Sequence, residues 1–290
     1  MSLGRQLDER APNYLKQAIG WSYHAPYAGH DGIQLAIGQV FTLGEDHLFS
    51  YYRDMLTCIS AGLNAEEIIL NGLSKATDLA SGGYIGGGLY HSQNLEGTLA
   101  TLPGIRIVSP SFADDVAGLF RTAMRSRGPT LFLEPKALYN SKQAMSSVPD
   151  DFEVPFGVGR IRREGSDLTI ITYGNTVHLS LDAANKAFEQ EGIEVEVIDL
   201  RSIAPFDEDM IVKSIQKTNR ALVVHEDKVF GGFGGELVAF INENAFELLD
   251  APVIRVGATN TPVGFNRIFE RAILPNADKI YKNTLSVFNY

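Results

Sequence analysis

The sequence is poor in the features that mark disulfide-bonded, membrane and nucleic-acid-binding proteins. Cys58 is the single cysteine among 290 residues, so no intrachain disulfide can form and a cytoplasmic location is expected. No apolar run approaches the ~20 residues that a membrane-spanning helix needs. Lysine and arginine number 25 against 35 aspartates and glutamates. The resulting net charge of −10 argues against nucleic acid or an anionic membrane as the main partner.

The rest of the composition is that of an ordinary globular protein. Hydrophobic residues make up 44% of the chain and charged residues 21%, and the length is sufficient for two domains. Serines, prolines and acidic residues crowd residues 141–156, which predicts a linker there. We therefore expect a domain boundary near residue 150, followed by an independent domain over 157–290.

The densest glycine run of the chain is GGYIGGGLYHSQNLE at residues 82–96, and it leads to a histidine. Because glycine lets the backbone approach a ligand closely, the run predicts a loop that presents Tyr90 and His91 to a site. Ser92 or Asn94 is expected to cap a short helix through 95–99. From residue type alone, a hydrogen-bonded structural role for His91 is about as favoured as a catalytic one.

The first 80 residues are predicted to be mostly helical. Apolar residues recur at helical spacing after residue 32, at Ile33, Ala36, Ile37 and Val40. Asn64 and Glu67 form a capping box that predicts a further helix.

An arginine follows two tyrosines between these helices, in the order Tyr51, Tyr52, Arg53. A guanidinium group pairs bidentately with phosphate oxygens, so Arg53 is a candidate phosphate ligand. A surface ion pair with Asp54 is the alternative that residue type alone favours.

Strands alternate with helices through the remainder of the chain, which predicts a parallel sheet and an α/β fold. The predicted strands are residues 105–108, 130–135, 168–173, 195–200, 221–225 and 253–256. The strand at 130–135 is too continuously apolar for an exposed edge. Ser111 and Thr176 are expected to cap helices, Asp207 to begin one, and Gly192 to end one.

A second glycine run, residues 231–235, follows the strand that ends near His225. It does not match a dinucleotide-binding motif, because Leu237 stands where the third glycine would be needed. Close packing of a loop on a helix is the better interpretation, and we interpret His225 and Glu226 as a structural pair.

Apolar residues after this run cover more than one face of the predicted helix, at Leu237, Phe240, Ile241 and Phe246. This surface predicts a homodimer or a larger homo-oligomer.

Three blocks of the sequence resemble one family, the thiamine-diphosphate-dependent 2-oxo acid dehydrogenases. GGYIGGGLYHSQNLEG resembles the beta subunit, whereas GHDGIQLAIGQ, DHLFSYYRDM and GLNAEEIILNGLSKATDLASGG resemble the early alpha subunit. DLRSIAPFD, VVHED, GGFGGE and TPVGFN resemble the C-terminal domain of transketolase-like enzymes. The resemblance implies a fused alpha–beta chain that lacks its middle. Its parts are an alpha-subunit-like helical segment (1–81), a partial pyrimidine-binding domain (82–148) and a transketolase-like parallel-sheet domain (149–290).

The resemblance also implies a cofactor, partners and site residues. In the family, the residue matching His91 lies near the reacting carbon, and those matching Tyr52 and Arg53 hold the diphosphate of thiamine diphosphate, which Mg²⁺ accompanies. The implied partner is the lipoyl acyltransferase core. A branched-chain 2-oxo acid is the first choice of substrate, and pyruvate is the second.

Two family motifs are missing from the sequence. One is Gly-Asp-Gly followed by asparagine, which holds Mg²⁺ in the family, so no metal ligands are assigned. The other is the beta-subunit segment whose glutamate faces the aminopyrimidine ring. A working decarboxylating component is favoured by family resemblance. The absence of the metal motif and of the glutamate segment favours instead an internally truncated, non-catalytic chain. A general binding module for acidic partners or small ligands is the third hypothesis.

Overall fold

The computed structural model describes residues 2–16, 29–42, 53–62, 84, 92–264 and 266–290. Ten α-helices lie in this part of the chain: α1 (Ser2–Lys16), α2 (Asp31–Val40), α3 (Met55–Ser60), α4 (Glu96–Leu99), α5 (Ala113–Arg125), α6 (Thr176–Glu191), α7 (Glu208–Thr218), α8 (Gly234–Ala245), α9 (Arg267–Ile273) and α10 (Ala277–Phe288). None of these described helices is both long and apolar enough to span a membrane.

The helix predicted from the apolar spacing after residue 32 is confirmed as α2. Its Ile33 and Ala36 pack on Phe120 of α5, which fixes the N-terminal helices against the α/β part of the chain. The capping box at Asn64 lies outside the described residues.

The eight strands of the described chain form two sheets. They are β1 (Arg106–Val108), β2 (Thr130–Phe132), β3 (Arg160–Arg163), β4 (Leu168–Thr172), β5 (Val195–Asp199), β6 (Ser202–Ala204), β7 (Ala221–Lys228) and β8 (Ile254–Ala258). The larger sheet has the order β3-β5-β4-β7-β8, and its last four strands are parallel, as the sequence predicted. Strand β3 was not predicted and pairs antiparallel with β5.

The smaller sheet joins the two predicted domains, because β6 of the C-terminal segment pairs antiparallel with β1. Ile107 lies opposite Ala204, and the Ser109 N–H donates to the Arg201 carbonyl at 2.8 Å. Ile107 is also fully buried in the same core as the side chains of β4 and β5. The segments on either side of residue 150 therefore share both a sheet and a core.

The prediction that residues 130–135 avoid an exposed sheet edge is not confirmed, since β2 is the outer strand of the smaller sheet among the described residues. Its side chains are half-buried. Phe132 packs on Phe120 of α5 with ring centroids 5.5 Å apart. The apolar residues of this run are therefore explained by packing on the faces of the strand and not by the position of the strand within the sheet.

Two of the predicted helix boundaries are confirmed. Asp207 caps α7 by accepting a hydrogen bond from the Met210 N–H at 3.0 Å. Gly192 ends α6 in the left-handed conformation with φ 73°, which glycine adopts without strain.

The other predicted caps are wrong, because the helices begin at neighbouring residues. Phe112 and Asn175 occupy the cap positions expected for Ser111 and Thr176, and Leu95 occupies the one expected for Ser92 or Asn94. None of these three caps receives a side-chain hydrogen bond. The Thr176 hydroxyl instead donates to the Tyr173 carbonyl at 2.7 Å.

A buried network of four charged side chains links α5 to the C-terminal segment. Arg201 Nη1 donates to Asp115 Oδ1 at 2.8 Å, and Arg162 Nη2 pairs with both Asp115 and Asp199. Asp115 and Asp199 are fully buried. Burial, opposed by the charge of Arg162, raises the pKa of Asp199 to about 6. Removing one member of such a network leaves an uncompensated buried charge.

The predicted linker is held against α5 over its second half. Arg121 Nη1 donates to the carbonyls of Pro149 and Phe152 at 3.1 and 2.9 Å, and Val154 is buried. Lys142 and Met145, in its first half, are exposed. The segment therefore combines an accessible stretch with an anchored one.

We expect trypsin to cleave early after Lys142 and the two fragments to stay associated, because the smaller sheet and the charged network bridge them. Limited proteolysis followed by gel filtration under native conditions tests this. The Lys142→Gln variant is the control and should lose that cut. Fragments that elute separately, or degradation that proceeds uniformly from both ends, would contradict the prediction.

Candidate functional site

The candidate site lies where the first glycine run meets the C-terminal segment. His91 and Tyr52, two of the three predicted site residues, lie outside the described residues, but Tyr84, Ser92 and Gln93 are described. The Tyr84 hydroxyl donates to the Pro275 carbonyl at 2.5 Å. At the other end of the run, Lys228 Nζ donates to Gln93 Oε1 at 3.1 Å.

Both contacts lie near the carboxyl ends of two neighbouring parallel strands. Lys228 is the last residue of β7, and Tyr84 packs against a cluster that includes Ala258, the last residue of β8. Ligands of open α/β sheets bind beyond the carboxyl ends of the strands. A role for His91 at this edge of the sheet is consistent with these anchors and stays a prediction.

Glycine is needed at position 97, where the backbone approaches the second glycine run. A Cβ atom on Gly97 would lie 2.6 Å from the Gly231 carbonyl oxygen. The Gly97 N–H also donates to Asp227 Oδ2 at 3.3 Å. Gly97, which directly follows the first glycine run, therefore packs on the second run, and this supports the loop-packing interpretation of residues 231–235.

A buried acidic group lies beneath this contact. Glu96, the first residue of α4, is 5% exposed, and its Oε1 is 3.2 Å from the Tyr173 hydroxyl. Burial and the charge of Asp227 raise the pKa of Glu96 to about 8. Burial also raises the pKa of Asp227. Glu96 is therefore mostly protonated at neutral pH and can store a proton beside the glycine run.

Glu96 was not identified from the sequence, because an acidic residue in the first turn of a helix usually interacts with the helix dipole at the surface. Its environment is set by a hydrogen bond with Tyr173 and by the charge of Asp227, and both residues are distant in sequence.

Arg53, the described member of the predicted diphosphate ligands, lies in the turn before α3. The buried Gln34 of α2 fixes this turn: its Nε2 donates to the Arg53 carbonyl at 2.8 Å, and its Oε1 accepts from the Leu56 N–H at 2.9 Å. Arg53 therefore belongs to the α2–α3 pair, which packs on α5. The ends of the glycine run instead contact β7, β8 and the segment before α10.

The described residues do not fit a diphosphate bound through a metal. Beside Ser92 and Gln93 they leave a cavity of about 10 Å³, roughly the space of one water molecule. This cavity is lined by two carboxylates, of Glu226 and Asp227, and one ammonium group, of Lys228. No group of three metal-ligating side chains occurs within the described ranges. The carboxylate of Asp31, at the start of α2, is paired with Arg5 at 2.5 Å.

His225 is fully buried below the second glycine run. A Cβ atom on Gly234 would lie 2.3 Å from its Nε2, so the glycines allow the loop to close over the ring. Burial, together with the charge of Arg255, lowers the pKa of His225 to about 4. A neutral, enclosed ring supports the structural interpretation of this residue.

Comparison with known proteins gives the family. The model named "Transketolase, pyrimidine binding domain" matches residues 73–142, and "Transketolase, C-terminal domain" matches residues 157–280. The pyruvate dehydrogenase E1 component subunit beta of Staphylococcus aureus (strain COL) is 37% identical over 235 residues, which cover 79% of this chain and 71% of that protein. The chain belongs to the family of 2-oxo acid dehydrogenase E1 beta subunits.

In other relatives of the family, the match with this chain covers a smaller share of the relative's length. The 2-oxoisovalerate dehydrogenase subunit beta 2 of Arabidopsis thaliana is 40% identical over 205 residues, covering 70% of this chain and 56% of that protein. The chain spans 54–63% of the length of six curated relatives that match it at 39–40% identity. The names of these relatives give different substrates, pyruvate and 2-oxoisovalerate among them. The similarity therefore does not decide between pyruvate and a branched-chain 2-oxo acid.

A solved structure supports the fold. A split gene transketolase, described as an inactive beta4 tetramer, aligns with a TM-score of 0.56 at 24% identity and covers 69% of this chain and 62% of that one. The transketolase-like α/β fold is thus confirmed. The alpha-subunit-like nature of residues 1–81 stays a prediction.

We expect the Glu96→Gln variant of this E1 beta-type chain to gain stability relative to the parent as pH rises. The folded pKa of Glu96, about 8, exceeds its ordinary value of 4.5, so the folded state holds an extra proton between these values. The stability linked to this proton is complete below pH 4.5 and is lost as pH rises through 8, at up to about 1.4 kcal/mol per pH unit. Glutamine removes this dependence.

Urea unfolding at several pH values between 5.5 and 8 measures the difference. The matched control is Glu243→Gln, a change at an exposed position of α8. A Glu96→Gln difference that stays constant across this pH range would show that Glu96 is ionised in the folded protein.

Proposed function

We propose that the chain is an E1 beta-type component for the oxidative decarboxylation of a 2-oxo acid, and that it does not decarboxylate on its own. The observation that carries the proposal is the attachment of both described ends of the first glycine run to the C-terminal segment, through Tyr84 and Gln93. These two contacts support the view that the chain keeps the part of the fold from which the family places the histidine matching His91 in the active site. The resemblance assigns this residue to the reaction.

The second half of the proposal rests on charge. Arg53 supplies one cation for a diphosphate, and each charge-assisted contact contributes roughly 1.5–3 kcal/mol. Binding also costs at least about 4 kcal/mol in translational and rotational freedom. Without the metal motif, the net affinity of this chain for thiamine diphosphate is small. The missing groups would come from another chain, and a permanently non-catalytic role in partner binding is the second candidate function.

The proposal includes partners and a location. The resemblance supports docking to a lipoyl acyltransferase core, a branched-chain acid as first substrate choice, and a fused alpha–beta origin of residues 1–81. A cytoplasmic location stays a prediction.

The homo-oligomer also stays a prediction, but most of the apolar surface from which it was predicted is used inside the chain. Leu237 and Ile241 are buried in the chain's own core, and Phe240 packs on Phe206 at 5.2 Å. Phe246 is 67% exposed and is the one member of the predicted apolar surface that remains available.

We expect calorimetric titration of the chain with thiamine diphosphate and Mg²⁺ to show weak binding, and assays with pyruvate and a branched-chain 2-oxo acid to show no decarboxylation. Arg53→Ala should abolish any residual affinity. His91→Ala should leave affinity intact, because the residue is assigned to the reaction rather than to the diphosphate. Tight, Mg²⁺-dependent binding by this chain alone would contradict the proposal and would point to Asp46, outside the described residues, as a metal ligand.

The same assay separates the two candidate functions when a purified E1 alpha subunit of a relative is added. Decarboxylation that appears with the parent chain and is absent with His91→Ala supports the E1 beta-type role. Continued inactivity of the mixture favours the non-catalytic role in partner binding.

A further inference from the structure

A second cavity, of about 150 Å³, lies between α2 and the loops that follow β1 and β2. It shares no lining residue with the small cavity beside Ser92 and Gln93. Its walls are mainly apolar and include Ile33, Val116 and Leu138. Apolar cavities of about this volume hold benzene-sized molecules, so the space suits a ligand with a compact apolar body.

Glu134 is the only charged residue among the described residues that line this cavity. It follows β2 closely and therefore lies at the carboxyl ends of the parallel strands β1 and β2, where α/β sheets bind ligands. No lysine or arginine occurs in the described lining to balance its charge. The cavity thus combines apolar walls with one carboxylate.

The Glu134 carboxylate has one oxygen engaged and one available. Its Oε2 lies 3.0 Å from His30 Nδ1 and accepts a hydrogen bond from the Tyr139 hydroxyl at 3.4 Å, and these contacts hold the carboxylate in place. Its Oε1 accepts no hydrogen bond from the described residues, and the side chain is 27% exposed. Unlike the unpaired polar atoms that are buried elsewhere in the described chain, this oxygen is accessible to a ligand.

The carboxylate selects the charge of a ligand. In a largely apolar environment, Glu134 repels a ligand carboxylate and attracts an ammonium group. An ammonium group also carries hydrogen-bond donors that Oε1 can accept, and hydrogen bonds between charged groups are stronger than those between neutral ones. A neutral ligand of the same size gains only the apolar contacts.

We propose that this cavity binds a small primary amine with a compact apolar body, and that the ammonium group pairs with Glu134 Oε1. The proposal goes beyond the function proposed above, because a 2-oxo acid is an anion that Glu134 would repel. The site is separate from the glycine run, so either proposal can fail while the other holds.

Calorimetry or ligand-observed NMR on the full chain tests the site, with benzylamine as the probe. Benzyl alcohol and benzoate present the same ring with a neutral and an anionic group. We expect saturable binding of benzylamine and roughly tenfold or greater weakening for both counterparts, the effect of one charge-assisted hydrogen bond. No saturable benzylamine binding, or equal affinity for benzylamine and benzyl alcohol, would overturn the proposal.

The Glu134→Gln variant keeps the shape of the side chain and removes its charge. Benzylamine binding should weaken roughly tenfold or more, whereas the affinity for benzyl alcohol should not change, because the apolar walls remain. The matched control is Glu243→Gln, which removes the same charge from an exposed position of α8 outside the cavity and should leave benzylamine binding unchanged. An equal loss of affinity for both probes in Glu134→Gln would overturn the proposed pairing.

Gly32→Leu is a second variant, which leaves Glu134 in place. Gly32 is exposed at the cavity wall, where an added Cβ meets nothing within 4 Å, so a leucine can cover the entrance. It should weaken the binding of benzylamine and benzyl alcohol alike. Thermal unfolding confirms that each variant is folded, and benzylamine affinity equal to that of the parent in folded Glu134→Gln and Gly32→Leu would contradict the site.

Discussion

The pairing of Asp115 with Arg162 and Arg201 is the interaction on which the arrangement of the chain depends. It places an acidic residue of α5 between two arginines of the C-terminal segment, out of contact with water. Arg201 adopts a left-handed backbone with φ 57°, and its guanidinium also donates to the carbonyls of Val158 and Gly159. A non-glycine residue is held in this conformation only when its surroundings determine it. The network therefore fixes the position at which β6 joins β1.

The position of the first glycine run follows from this junction. Once the two segments share a sheet, Tyr84 reaches Pro275 and Gln93 reaches Lys228, and Gly97 packs on the second glycine run. Glu96, whose pKa is raised by burial, is hydrogen-bonded to Tyr173 next to these contacts. The scaffold of an E1 beta subunit is thus retained at this edge, whereas the cation that would hold a diphosphate, Arg53, belongs to a different packing unit.

Local signals in the sequence predicted the features that depend on few neighbours. Asp207, Gly192 and the apolar strand at 168–173 were identified because capping, left-handed backbone and continuous hydrophobicity are encoded by adjacent residues. Strands β3 and β6 were missed because they contain four and three residues and exist through pairing with distant strands. Glu96 was missed for the same reason: its hydrogen bond with Tyr173 spans 77 positions. The family resemblance identified the scaffold, but it could not show which charged side chains lie beside Ser92 and Gln93.

A double-mutant cycle between Asp115 and Arg201 tests most directly whether the two segments form one unit. The free energy of unfolding is measured in urea for Asp115→Ala, Arg201→Ala and the double variant, with the exposed pair Asp209 and Lys213 as the control cycle. We predict a coupling energy above about 1 kcal/mol for the buried pair and about 0–0.5 kcal/mol for the exposed pair. Additive effects at Asp115 and Arg201 would contradict the account, because the segments would then fold without this contact.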